Sequence, residues 1–204
     1  KIINKLDFDN SRRKSNLGYI VKNKKLLEIF YKNILKMNNI SLFNNSHLLS
    51  INHNQDFNIL NIGKKYFVIS DLNIAADGKK SATRDLLKTP IYKKSYNKFA
   101  LVFTFEHSKS HNGTALEFFY NNGPLAVLPM QNQNGKKLSS IVWTDNEDYL
   151  RNLLNCEDNL IKLTLNKKTQ NQIGNITKIY TKQLFPITAH LNSRFYEKGN
   201  IYIG

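Results

Sequence analysis

The sequence predicts a mixed α/β chain of the α+β kind, a strand–helix segment joined to a larger antiparallel sheet. Three observations lead there. An apolar run stops abruptly on Asp77-Gly78 with a short helix-like stretch behind it, in "NIAADGKKSATRDLL" (73–87). A helical stripe occupies 23–37. From about residue 96 a series of short apolar runs is separated by loops of Gly, Asn and Pro, a spacing that suits an antiparallel sheet rather than alternating strand–helix units.

In chain order, "NKKLLEIFYKNILKM" (23–37) places Leu26, Leu27, Phe30, Ile34 and Met37 at helical spacing, with Asn23 as a plausible N-cap and the stripe expected to pack into a core. Residues 40–76 break into short strands that lead into "LNIAA", expected to be a buried strand, with Gly63-Lys64-Lys65 as a hairpin turn. "KFALVFTFEH", "TALEFFYNNG", "PLAVLPM" and "KLSSIVWT" form the second block. A helix is expected over 146–154, capped by Thr144 or Asp145, with Glu147 and Asp148 at the positive end of its dipole. The stretch 157–175 reads as polar, and its "NKKTQNQIGN" as too hydrophilic for a core. Strand character returns in "ITKIYTKQLFPIT" and in the closing "GNIYIG".

Composition bounds the function. At 204 residues, 41% hydrophobic and 11% aromatic, the chain can bury a globular core. Its net charge of +15 invites a nucleic-acid reading. The lysines are dispersed as doublets, however, and no block of five or six like charges occurs. Lys, Asn and Ile are over-used together while Arg is scarce, the mark of AT-rich coding, so the charge reads as solvated background and no nucleic-acid partner is expected. Cys156 is the single cysteine, which excludes an intrachain disulfide and points to a reducing, cytoplasmic setting. It reads as structural rather than nucleophilic. No apolar run reaches the roughly 18 residues of a membrane span, and no signal peptide opens the sequence. The chain opens on Lys1 and closes on the strand-like "NIYIG", and is expected to be a piece of a longer protein.

The chemistry centres on Asp77-Gly78. A glycine at a strand end admits backbone conformations and close approaches that a β-carbon forbids. An acid there can hold hydroxyls or amides. A helix capped by Ser81 would offer amide N–H groups to an anion, and Arg84 adds a guanidinium suited to phosphate. This is the pattern of a strand-end ligand site; a plain turn with a capped helix is the competing reading. His107 and His111 are four apart but flank "SKS" beside a turn, so no metal is expected, and His47, His53 and His190 read as packing or surface residues. The acids of "TDNED" read as a helix start rather than paired catalytic carboxylates.

The full string "AADGKKSATRDLL" resembles the Asp-Gly fingerprint of the FAD-dependent aromatic hydroxylases, typified by p-hydroxybenzoate hydroxylase. Further stretches are similar, in order, to the ubiquinone-biosynthesis hydroxylases within that family. These are "LGYIVKNKKLLEIF" (17–30), "FTFEHSKSHNGTALEFFYNNGPLAVLPM" (103–130), "SSIVWT" (139–144) and "LFPITAHLNSRFYEKGNIYIG" (184–204). The resemblance covers most of the chain and is weakest at 155–180. Two departures stand out: the family's amino-terminal glycine-rich turn is absent, and the Gly-Asp-Ala-Ala-His fingerprint would begin at Gly204.

The resemblance implies a partial Rossmann-like FAD/NAD(P)-binding domain over 1–94, an antiparallel substrate-binding sheet over 95–185, and a return to the first domain over 186–204. It implies Asp77, Gly78, Ser81, Arg84 and Gly204 as cofactor-binding residues, with FAD bound and NAD(P)H as co-substrate. The implied reaction is ring hydroxylation of a polyprenylated phenol by oxygen through a flavin hydroperoxide, in a cytoplasmic enzyme that touches the membrane surface and other ubiquinone-biosynthesis proteins. Because the cofactor carries that chemistry, no acid–base constellation is expected, and this piece alone is expected to be inactive. A basic nucleic-acid-binding module and a non-catalytic binding domain of the same fold are the alternatives.

Overall fold

The computed structural model describes Asp7, Phe8 and residues 16–203. The elements in order are α1 (Asn23–Ile34), β1 (Leu48–Asn54), β2 (Phe57–Ile62), β3 (Tyr66–Ser70), β4 (Asn73–Ala75), α2 (Ala82–Leu86) and β5 (Ile91–His107). They continue with β6 (Leu116–Tyr120), β7 (Gly123–Pro129), β8 (Lys137–Asn146), α3 (Glu147–Leu154), α4 (Asp158–Lys168), β9 (Ile176–Ile179), β10 (Gln183–Asn192), β11 (Tyr196–Glu197) and β12 (Asn200–Tyr202). The chain divides into two compact units, one of Lys1–Met37 with Asn97–Pro186 and the other of Asn38–Tyr96 with Ile187–Gly204.

The first unit is built on an antiparallel sheet ordered β5-β8-β7-β6, with β9 pairing β5. Period-2 alternation sends Leu101, Phe103 and Phe105 of β5 to one face. Their cross-strand partners Ile141 and Trp143 on β8, and Leu125 and Val127 on β7, fall on the same face. Leu150 and Leu153 of α3 and Ile161 and Leu165 of α4 complete this core. Each large side chain so buried contributes about 1.5–3 kcal/mol of transfer free energy.

Two sequence expectations give way in this unit. The polar stretch at 157–175 contains α4, which buries Ile161 and Leu165, and within "NKKTQNQIGN" Thr169 and Ile173 are buried too. Its apolar stripe is one residue wide, at i and i+4, so mean hydropathy conceals it. The stripe on α1 is the converse case: Leu26, Leu27, Phe30 and Met37 are exposed, and the helix has no buried residue. Periodicity identified an apolar face without saying what meets it. The caps shift as well. Lys22 rather than Asn23 is the N-cap of α1, and Asn146 rather than Thr144 or Asp145 is that of α3, while Glu147 and Asp148 do occupy its first turn.

The second unit contains a β1-β2-β3 antiparallel meander, whose β2–β3 hairpin turns at Gly63-Lys64-Lys65 with Ile62 opposite Tyr66. A mixed β11-β12-β4 sheet accompanies it, in which β12 runs parallel to β4. Its interior is held by amides as much as by apolar contacts. Fully buried Asn58 donates to Lys198 O at 3.1 Å. Fully buried Asn200 accepts from Asn73 at 2.8 Å and donates to the carbonyls of Glu197 and Lys198. The β11–β12 turn has positive φ at both Lys198 and Gly199, the geometry of a tight two-residue hairpin. A β-carbon on Gly199 would stand 2.7 Å from Asn58 Nδ2, so only glycine fits. Strand β4 was expected to be buried; Ala75 is, but Ile74 is exposed.

Candidate functional site

The Asp-Gly segment is a closed hydrogen-bonded unit, and its spacing has a direct structural meaning. Gly78 follows β4 with φ +73°, a conformation open to glycine, and nothing lies within 4 Å of where a β-carbon would stand. The chain then turns so that Asp77 Oδ2 accepts from both the amide and the hydroxyl of Thr83, each at 2.9 Å. Ser81 is the N-cap of α2: its Oγ accepts from Arg84 N at 3.0 Å, and its hydroxyl proton serves Asp77. Partial burial pushes the Asp77 carboxyl up, but the bonds from Ser81 and Thr83 outweigh it, and the group ends below its ordinary value. The amides of Thr83 and Arg84, expected from the sequence to face an anion, are therefore already engaged by Ser81 and Asp77.

Arg84 is buried; its Nη2 donates to Lys79 O at 3.2 Å and its Nε lies 3.7 Å from the exposed Asp85 carboxylate. Together with Gly78, Lys79 and residues of β10 and β12 it lines a cavity of about 150 Å³, all within the second unit. His190, Leu191, Asn192, Phe195 and Tyr202 complete the lining, which holds cations and no carboxylate. Behind it, Tyr202 Oη shares a 2.6 Å hydrogen bond with Thr89, whose hydroxyl donates to Glu197, and Glu197 in turn pairs with Arg194 at 3.0 Å.

The structure thus brings Gly78 and Arg84 to one cavity and sets Asp77 and Ser81 behind it as the pair that shapes the turn. Gly204 lies outside the described residues. His190 and Tyr202 were not singled out from sequence as site residues. Each sits in an ordinary strand-like string, and only tertiary pairing carries them to the turn.

The Glu-His…His-Asn-Gly-Thr-Ala stretch in the first unit is differently occupied. His107 bonds Lys109 O through Nδ1 at 2.8 Å and Ser139 Oγ through Nε2 at 2.9 Å. His111 bonds Met130 O through Nε2, while its Nδ1 accepts from Gly113 N. Carbonyl acceptors fix both tautomers, and burial holds His107 below the ordinary imidazole value. Glu106 takes hydrogen bonds from Tyr180 and Lys136, which keep its carboxyl low. Among the described residues no group of three or more His, Cys, Asp and Glu could hold a metal, and Cys156 donates only to Asn152 O.

No protein-family model matches the chain. Among solved structures, p-nitrophenol 4-monooxygenase PnpA of Pseudomonas putida DLL-E4 matches with TM-score 0.65 at 12% identity, over 89% of this chain and 46% of that one. The flavin-dependent halogenase CmlS matches with TM-score 0.65 at 16% identity, over 89% and 33%. The fold is therefore that of the FAD-dependent monooxygenases and halogenases, present here in part and mostly as antiparallel sheet.

Sequence relatives narrow the class. Ubiquinone hydroxylase UbiL of Rhodospirillum rubrum is 24% identical over 199 residues, 98% of this chain and 46% of its own length. Ubiquinone hydroxylase UbiM of Neisseria meningitidis is 23% identical over 92% and 40%. Ubiquinone biosynthesis monooxygenase COQ6 of Drosophila melanogaster is 26% identical over 72% and 31%. The chain is a distant homologue of the ubiquinone hydroxylases, and it spans less than half the length of these relatives.

Proposed function

We propose that the chain is part of an FAD-dependent monooxygenase that hydroxylates the aromatic ring of a polyprenylated phenol in ubiquinone biosynthesis, with NAD(P)H as reductant. The observation that carries the reading is the Asp77–Ser81–Thr83–Arg84 unit closing on Gly78 beside a cavity lined by Lys79 and Arg84. A dinucleotide fits this donor set. Gly78 leaves open space for close approach, and the lining offers cations with no opposing acid.

When bound, FAD would supply the oxygen-activating redox chemistry. The chain's own residues would do the rest. Asp77 and Ser81 hold the turn, Gly78 lets the backbone reach the ligand, and Arg84 and Lys79 neutralise phosphate. In the first unit, the sheet face opposite the helices carries Val102, Val142 and Ala126 in one cross-strand row, flanked by Ala100, Pro124 and Leu128. That half-buried apolar face suits a greasy ring substrate screened from water. Among the described residues no helix is long and apolar enough to cross a membrane.

The test is to purify the whole protein of which this chain is part, without added cofactor, and record its visible spectrum. The flavin bands should be present, and Asp77→Ala should weaken FAD retention by about tenfold, the cost of roughly 1.4 kcal/mol of lost preorganisation. A colourless protein that does not take up added FAD would end the reading.

A further inference from the structure

The outer face of the first unit's sheet, turned away from α3 and α4, is graded in polarity along its strands. Val102, Val142 and Ala126 stand opposite one another in one row. Two residues further along β5 the next row is Thr104, Ser140 and Leu128, and Tyr180, just past β9, donates its amide to Thr104 O at 2.9 Å. Two residues further again, Glu106 stands between Lys178 of β9 and Leu138 of β8. Alternation keeps 102, 104 and 106 on this half-buried face, because Leu101, Phe103 and Phe105 fill the core on the other. One end of the face is therefore apolar, its middle carries small hydroxyls, and its other end carries a carboxylate.

The polar end has hydrogen-bonding capacity to spare. Tyr180 Oη and Lys136 Nζ both donate to Glu106 Oε1, and Oε2 has no partner among the described residues. Thr104 Oγ1 makes no hydrogen bond among them, and Ser140 Oγ reaches only Phe103 O, at a long 3.4 Å. The Glu106 side chain is 13% exposed, so water reaches little of it. Lys178 lies over the Tyr180 ring at 5.2 Å. An ionised carboxylate with one open oxygen takes a hydrogen-bond donor, and the small side chains of Thr104 and Ser140 leave room above them for a flat group. From Glu106 to Val102 the strand runs about 13 Å, enough for a hydroxylated ring and the first carbons of an attached chain.

We propose that this face binds a phenol with its hydroxyl donating to Glu106 Oε2, its ring over Thr104 and Ser140, and an apolar chain laid along Val102, Val142 and Ala126. The ligand's role as substrate rests on the flavoenzyme reading above; the site itself stands on the sheet. Tyr180, then Lys136, hold the Glu106 carboxyl below its ordinary value, so it accepts a hydrogen bond and leaves the proton on the phenol. What the site selects is a free hydroxyl. An ether oxygen has no proton to give and would set acceptor against a charged acceptor, which leaves the carboxylate desolvated and unpaired. Tyr180 and Lys136 act through Glu106, as positioning residues that fix which of its oxygens is open. The alternative is that Glu106 is a strut that ties the segment before β8 to β5 through Lys136, and a strut is indifferent to what lies on the face.

The test uses the whole protein of which this chain is part and two probes, ortho-allylphenol and its methyl ether, with affinity read by calorimetry. The phenol should bind about tenfold more tightly than the ether, the worth of one charge-assisted hydrogen bond. In Glu106→Gln, whose fold is checked by its amide spectrum, that ratio should shrink to about two- or threefold through loss of phenol affinity, with the ether unchanged. In Val142→Thr both probes should weaken together and the ratio should stay as it was. Failure of both probes to bind, equal affinity for the two, or a ratio that Glu106→Gln leaves intact would overturn the proposal. So would equal weakening of both probes in Glu106→Gln, the mark of a strut. A protein that carries the flavin bands but fails on the ratio loses this inference and keeps the flavoenzyme reading. A colourless protein that takes up no FAD, yet discriminates the probes through Glu106, keeps the site and removes that reading.

Discussion

The two units solve the problem of buried polarity in opposite ways. In the first, both histidines of the Glu-His…His stretch are bonded at both nitrogens, and the core beneath them is aliphatic and aromatic. In the second, amides of Asn58, Asn73 and Asn200 hold the strands, and the unpaired atoms of Thr188 and His190 gather beside the Asp-Gly turn. A histidine pair bonded at every ring nitrogen has no chemistry left to offer a polar ligand, whereas under-used cations and orphaned donors do; among the described residues the first unit leaves one buried polar atom unpaired, Asn166 Oδ1. On the proposed function, the first unit's apolar core carries stability and the second unit carries recognition of the dinucleotide.

Substitutions can break that contrast. The largest effect is expected from Leu125→Ala in the first unit, where a fully buried side chain leaves a cavity: about 2–5 kcal/mol by urea unfolding, with no change in FAD retention. A cost below about 1 kcal/mol would mean that this core is not the stabilising one. Asn200→Ala should cost about 1–3 kcal/mol, because it strands the Asn73 amide and two carbonyls; a neutral result would demote the amide network.

Asp77→Ala removes the acceptor for Thr83 N and should cost about 0.5–2 kcal/mol. Its pH dependence gives a sharper reading. The Asp77 carboxyl is lowered in the folded state, so its contribution is fully present above the ordinary carboxylate pKa and is lost as pH falls below that through the lowered folded value. Asp77→Asn should flatten that acid limb of the stability profile; an unchanged limb would place the lost protonation elsewhere. The smallest effect is expected at the exposed Glu147–Arg151 pair, where Arg151→Ala should change stability by only about 0.3–0.5 kcal/mol.

The Asp-Gly unit was legible in the sequence because its partners lie three to six residues apart, within one turn and one short helix. The antiparallel sheet was legible for the same kind of reason, since alternation in "KFALVFTFEH" and "KLSSIVWT" is local. Helix α4 escaped because two buried residues among many lysines and asparagines barely raise the hydropathy of the segment. The exposed stripe of α1 shows the opposite limit, an amphipathic pattern whose covering surface no pattern can name. His190 was unreadable for a third reason. Its character comes from Lys79, Arg84 and Lys93, which the fold brings to β10 from about a hundred residues earlier in the chain.

Hydrogen exchange with and without ADP-ribose tests the central claim most directly. Slowed amide exchange confined to residues 77–84 and 188–195, with 101–107 unchanged, is the expected result. Protection that falls instead on the first unit's sheet, or none at either place, would contradict the assignment of the Asp-Gly turn as the ligand-binding element.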